Sequence, residues 1–273
     1  MNKAISKDGT LIAYDKTGSG PALILVDGAL CYRESGPSVP LAKQLADQFT
    51  GYTYDRRGRG DSSNVQPYSV EREIEDIEAL INEAGGKAYV YGISSGAALA
   101  LEAANAGLPI KKLALYEAPF IVDDSRKPIS ENYMIELREL LDADRRGASV
   151  KLFLRKAVGL PSPIVFLMPL MPAWSKLKSV AHTLPYDGTI VEKELKGEPF
   201  QPMRWDSVNI PTLVTGGGKS EKWIQNSGKA LAEILPDARY ISLKKQTHMV
   251  KPEVLAPVLK EFLLEKTVQE QPT

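Results

Sequence analysis

An α/β architecture is predicted here: a mostly parallel central sheet, helices on both of its faces, and an inserted helical segment. Three observations predict it. Short apolar runs of strand length alternate with longer segments of helical period towards both ends of the chain. Several of these runs are continuously apolar, as strands covered on both faces must be. Between them, from about Val122 to Met203, the strand pattern disappears.

The elements follow in order. "TLIAYDKTG" from Thr10 alternates in part and ends in a turn, so it reads as a strand near a sheet edge. "PALILVDG" from Pro21 is a continuous apolar run and reads as a buried strand; "VPLAKQLADQF" follows as a helix. "TGYTYDRRGRGDSS" from Thr50 is a strand feeding a charged loop. In "SVEREIEDIEALINEAGG", Val70, Ile74, Ile77 and Ile81 share a helical face, Ser69 stands at the N-cap position, and Gly85-Gly86 stop the helix. "KAYVYG" is a further buried strand, followed by an alanine-rich helix and the strand "KKLALYEAP". Strand and helix alternating in units of this size indicate a parallel sheet.

The middle of the chain reads differently. "NYMIELRELLDADRRG" and "VKLFLRKAVG" are amphipathic, and "PSPIVFLMPLMPAW" is apolar and irregular. Alternation resumes with "IPTLVTGG", "WIQNSGKALAEILPDA", "RYISL" and a last helix from about Pro252; the tail "VQEQPT" is expected to fray. Residues 1–121 and 204–273 therefore form one core, and residues 122–203 an insertion.

Composition narrows the function classes. The 273 residues can bury a substantial core. Lys+Arg and Asp+Glu both number 34, so charge balance exerts no pull towards nucleic acid or anionic membrane. Cys31 is the sole cysteine, which excludes an intrachain disulfide and a cysteine zinc cluster. With only His182 and His248 and no metal-spaced cluster, no metal and no cofactor is expected. Neither a signal peptide nor a membrane span is legible, so a cytoplasmic location and a small-molecule substrate are the expectation.

Chemistry concentrates at "YVYGISSGAALALEAA". Gly92-Ile93-Ser94-Ser95-Gly96 fits Gly-x-Ser-x-Gly, with a buried strand before it and a helix after it. That context is a nucleophile elbow, which exposes the central serine at the top of a sheet. Ser94 is the expected nucleophile, and the Ser95 N–H an oxyanion donor. A serine hydroxyl needs a base at neutral pH. His248, in a loop just after the last strand, stands where such a base belongs; His182 lies in the insertion and reads as structural or pocket-lining.

On these residues the chain resembles the α/β-hydrolase superfamily. "LVDGALCYR" is similar to the segment after the third strand that usually reads His-Gly, and "YDRRGRGDSS" to the family's Asp-x-Arg-Gly-x-Gly-x-Ser loop. "GISSGAALALEAA" resembles the elbow and "QTHMVKP" the histidine loop; the insertion falls where these proteins carry a helical cap. The resemblance implies an α/β-hydrolase fold, a cap and a serine–histidine pair.

Three positions depart from the pattern. Asp27 replaces the usual histidine before the glycine, while the oxyanion donor there, a backbone N–H, is expected at Ala29 with Leu30 next. Ile93 replaces a histidine often found before the serine. Ser220 stands where the acid usually follows "TLVTGG". Glu117, at the end of the preceding parallel strand, and Glu221, one residue past the usual place, both remain candidates for the acid. Glu117 is favoured, because a strand terminus holds a carboxylate better than a triple-glycine loop.

The expected triad is thus Ser94, His248 and Glu117, with Ala29 and Ser95 as the oxyanion hole. Asp55 reads as a loop-bracing carboxylate, and Cys31 as a small buried residue. Phe166, Met168, Met171 and Trp174 are candidates for an apolar roof. The expected reaction is hydrolysis of a small, largely apolar ester through an acyl-enzyme. Lactone, thioester or C–C hydrolysis and acyl transfer at the same site are the alternatives, as is a non-catalytic ligand-binding or signalling protein. Ser94 disfavours a haloalkane dehalogenase, which needs a carboxylate nucleophile.

Overall fold

The computed structural model describes residues 1–265, so the expectation for the tail at 268–273 lies outside the described residues. Eight strands form one sheet: β1 (Asn2–Ile5), β2 (Leu11–Thr17), β3 (Ala22–Val26), β4 (Thr50–Tyr54), β5 (Ala88–Ile93), β6 (Ile110–Tyr116), β7 (Thr212–Gly217) and β8 (Ala238–Leu243). Their spatial order is β1-β2-β4-β3-β5-β6-β7-β8. The β1–β2 and β2–β4 pairings are antiparallel, and every later pairing is parallel.

β1 is an element the periodicity does not reveal. It has four residues, of which only Ala4 is buried, so it carries almost no hydrophobic signal; pairing with β2 makes it the edge. β2 is consequently the second strand, next to the edge.

Alternating side chains divide the core. Ile24, Val26, Val90, Leu113 and Leu115 face a layer that includes Ile77, Leu80 and Ile81 of α2 (Val70–Glu83) and the alanines of α3 (Ser95–Asn105). Leu23, Leu25, Tyr91 and Leu213 face the other way, towards α1 (Ser38–Leu45) and α10 (Pro252–Leu264). α9 (Lys222–Ile234) packs on β7 and β8. Small residues on α3 let it lie close to the central strands. Ser69 occupies the N-cap of α2 without a side-chain capping bond, so extended backbone rather than a cap hydrogen bond starts that helix.

Between β6 and β7 the described residues contain helices only: α4 (Tyr133–Asp142), α5 (Arg146–Phe153), α6 (Ser162–Leu167), α7 (Trp174–Ser179) and α8 (Leu184–Val191), with short helical turns between them. Their shared cluster includes Tyr133, Leu137, Val150, Leu152 and Leu184, and it packs against Leu30 and Tyr32 of the loop after β3. No helix among the described residues is long and apolar enough to cross a membrane.

Candidate active site

The strand-to-helix turn at Ser94 follows from close packing. A Cβ at Gly96 would collide with the Val26 carbonyl and lie 2.6 Å from that of Asp27; one at Gly92 would lie 2.7 Å from the Ala97 Cα. Only glycine lets α3 start this near β3 and β5. Ser94 between them takes φ 58° and ψ −131°, a sparsely populated conformation for a side-chain-bearing residue. Its N–H donates to the Tyr116 carbonyl at 2.9 Å, fixing the turn against β6. Gly28 lies against the serine from the other side: a Cβ there would sit 2.9 Å from the Ser94 Cβ.

Glu117 follows β6 immediately, also at positive φ, 49°. Its carboxylate is buried, with 1% of the residue exposed. One oxygen, Oε2, lies 2.7 Å from His248 Nδ1. The other, Oε1, accepts from the Gly217 N–H at 2.7 Å and from the Ser220 hydroxyl. The Tyr116 hydroxyl donates to the Thr247 carbonyl at 2.6 Å and braces the histidine loop. With Nδ1–H directed at the carboxylate, Nε2 is the free ring nitrogen. Ser94, Glu117 and His248 all line one cavity of about 300 Å³.

Glu221 lines the same cavity but takes the Trp223 indole N–H at 2.6 Å instead of the histidine. Ser220, at the customary position of the acid, is a donor to Glu117, and so contributes a hydrogen bond where it lacks a charge.

Ala29 and Ser95 also line the cavity. Ser95 opens α3, where N–H groups have no intrahelical acceptor. Arg59 Nη1 donates to the Gly28 carbonyl at 2.6 Å and to that of Cys31 at 3.1 Å. A trans peptide sets C=O and N–H on opposite sides, so the Ala29 N–H faces away from Arg59.

Asp187 of α8 is the residue that sequence reasoning missed. Buried in the cavity wall, it accepts the Ser95 hydroxyl at 2.7 Å, Arg56 Nη1 at 2.6 Å and Arg59 Nη2 at 2.7 Å. Burial opposes its ionisation, but Arg59 and Arg56 prevail and hold its carboxyl below the usual range. The signal was available. "DRRGRGD" places three arginines in one loop, and buried arginines require carboxylates. Glu73 and Asp76 of α2 meet Arg56 and Arg57, and Asp187 serves Arg56 and Arg59.

Asp55 accepts from the Arg33 N–H at 2.7 Å, Arg33 Nε at 3.0 Å and the Asp61 N–H at 2.9 Å, and braces its loop. Burial pushes the Cys31 thiol up to about 12, so it is not a thiolate. His182 lies outside the cavity lining. Asp27 is buried against the Ser38 hydroxyl at 2.6 Å; burial raises its carboxyl to about 6 against the opposing pull of that bond and of Arg59.

The expected roof is corrected. Phe166 and Met171 are 75% and 53% exposed and point outward, and neither Met168 nor Trp174 reaches the cavity. Ile129, Tyr133, Phe153, Ala157, Leu160 and Val191 form the apolar wall. The apolar run around Phe166 gave no directional signal, because short irregular helices have no single buried face to read. Among the described residues, no group of three or more His, Cys, Asp or Glu is placed to hold a metal ion.

Residues 18–257 match the model of the Alpha/beta hydrolase family. The chain belongs to that family. An alpha/beta hydrolase from Sphaerobacter thermophilus DSM 20745 is 48% identical, covers 96% of this chain and 100% of its own, and superposes with a TM-score of 0.89. The uncharacterized hydrolase YraK of Bacillus subtilis (strain 168) is 35% identical over 105 residues, which is 37% of this chain and 38% of that relative's length. The enol-lactonase from Burkholderia xenovorans LB400, 19% identical with a TM-score of 0.67 over 97% of this chain and 100% of its own, shares the fold.

Proposed function

We propose that this chain is a serine hydrolase that cleaves a small ester-type substrate through an acyl-enzyme. The observation that carries the reading is the 2.7 Å contact between His248 Nδ1 and Glu117 in the cavity that Ser94 lines. Glu117 holds the imidazole so that its other nitrogen is the base, and it offsets the charge that forms there.

Ser94 Oγ attacks the carbonyl carbon while His248 Nε2 takes its proton. The carbonyl oxygen becomes an oxyanion, which the Ala29 and Ser95 N–H groups receive. Such preorganised donors are commonly the largest single contribution to rate. The tetrahedral intermediate collapses, the histidine returns its proton to the departing alcohol, and the acyl group stays on Ser94. Water, deprotonated by the same histidine, then releases the acid. The helical segment 122–203 acts as a lid whose apolar inner wall excludes bulk water from these steps.

A fluorophosphonate probe tests the nucleophile. Labelling and mass-spectrometric mapping should return Ser94, with turnover of short-chain nitrophenyl esters lost in parallel. Labelling at Ser95 or Cys31 would overturn the assignment. No labelling and no turnover would favour a ligand-binding protein on the same fold.

A further inference from the structure

Charges in the cavity wall are not all accounted for by the proposed reaction. Of the three carboxylates that line it, Glu117 is engaged by His248, Ser220 and Gly217, and Asp187 by Arg56, Arg59 and Ser95. Glu221 accepts the Trp223 indole N–H. Two cations, Arg126 and Lys219, line the same cavity, and neither forms an ion pair within 4.0 Å among the described residues.

Arg126 is held in place without being neutralised. Its Nη2 donates to the carbonyls of Lys156 at 3.0 Å and Ala157 at 2.6 Å. Its guanidinium carbon lies 4.2 Å from the centre of the Trp223 ring. The Nε and Nη1 donors have no protein acceptor among the described residues. Burial lowers the pKa of this guanidinium and outweighs the more distant Glu221 carboxylate. A fixed, partly desolvated cation in the cavity wall is costly unless an anion joins it. Arginine is suited to that anion, because its planar donors match an oxyacid.

We infer that Arg126 binds a carboxylate carried by the substrate, with Lys219 adding positive potential to the same cavity. The substrate class is then a carboxylate-bearing ester or lactone, such as a half-ester of a dicarboxylic acid. An apolar spacer would lie along Phe153, Leu160 and Val191, with the scissile carbonyl at Ser94. This inference deepens the serine-hydrolase reading and rests on it for the catalytic step, but the binding step can be tested without turnover.

The decisive comparison pairs the mono-nitrophenyl ester of adipic acid with nitrophenyl hexanoate, which has the same chain length and no carboxylate. Wild-type kcat/KM should favour the half-ester by ~10-fold or more, and Arg126→Gln should collapse that ratio towards one, chiefly through KM. Arg126→Lys should retain part of the preference. Trp223 supplies a reading independent of catalysis, because it stacks on Arg126. Adipate should change tryptophan fluorescence saturably in wild-type protein, and ~10-fold more weakly in Arg126→Gln. A wild-type preference for the neutral ester, or adipate binding unaltered by Arg126→Gln, would overturn the inference. Adipate binding that depends on Arg126 without any ester turnover would uphold it and count against the hydrolase reading alone. Failure of adipate to bind wild-type protein would sink it even where both esters are cleaved.

Discussion

The cavity has two walls built by different means. On the core side, Ser94 and Glu117 sit at the ends of neighbouring parallel strands, each in a positive-φ conformation locked by backbone hydrogen bonds. On the other side, the segment between β6 and β7 supplies apolar side chains from short helices, Tyr133, Phe153 and Val191, and from loops, Ile129 and Leu160. Part of that segment is not even buried: Ile164, Phe166 and Leu170 are 52%, 75% and 82% exposed. Reacting groups tolerate displacements well under an ångström, which a central sheet can enforce. An apolar wall needs only volume and patterning, and loosely packed short helices suffice for that.

The largest effect that would expose this contrast lies on the core side. Ser94→Ala should lower kcat/KM for a short-chain ester by ~10³-fold or more while leaving the thermal unfolding profile near wild type. Residual activity within a few-fold of wild type would mean that the strained serine has no chemical role.

Asp187 belongs to the inserted segment yet reaches across to Ser95, Arg56 and Arg59, so it is where the two walls are joined. Asp187→Ala leaves two buried guanidinium groups short of a carboxylate and should destabilise the protein by ~3 kcal/mol in urea titrations. A loss below ~1 kcal/mol would show that the clasp is not needed to hold the walls together.

The two acids sharpen the comparison further. Glu117→Gln should cost ~10²-fold in kcat, because the imidazolium loses its charged partner. Glu221→Gln, in the loop just before α9, should cost no more than a few-fold. The reverse outcome would transfer the role of acid from the strand end to the loop.

The smallest predicted effect concerns the core wall behind Ala29. The Asp27 carboxyl is raised by burial from an ordinary 3.8 to about 6. Between those values the folded protein binds a proton that the unfolded chain has released, so this group's contribution to stability falls as pH rises through 6. Asp27→Asn should remove a pH dependence on the order of 2 kcal/mol between pH 4 and 7, read as the shift in urea midpoint. A variant that keeps the wild-type slope would locate the dependence elsewhere.

Much of the core wall is written locally. A glycine-flanked serine between an apolar strand and an alanine-rich run specifies its own turn, because the steric demands at Gly92 and Gly96 arise from neighbours in the pattern itself. The parallel sheet was likewise legible in β3, β5, β6 and β7, whose apolar runs need cover on both faces; β1 was not, with a single buried residue. Chain order left both Glu117 and Glu221 eligible, since both lie between Ser94 and His248, and only the strand-end position favoured Glu117. Only the register of β6 against β7, and the loop that carries His248 over them, set Glu117 at 2.7 Å from the ring. Nor could local pattern show that Asp187 crosses 92 residues to Ser95, or that Arg126 meets Trp223. Periodicity records which face of an element is buried, whereas the partner of a buried charge is decided by how distant elements pack.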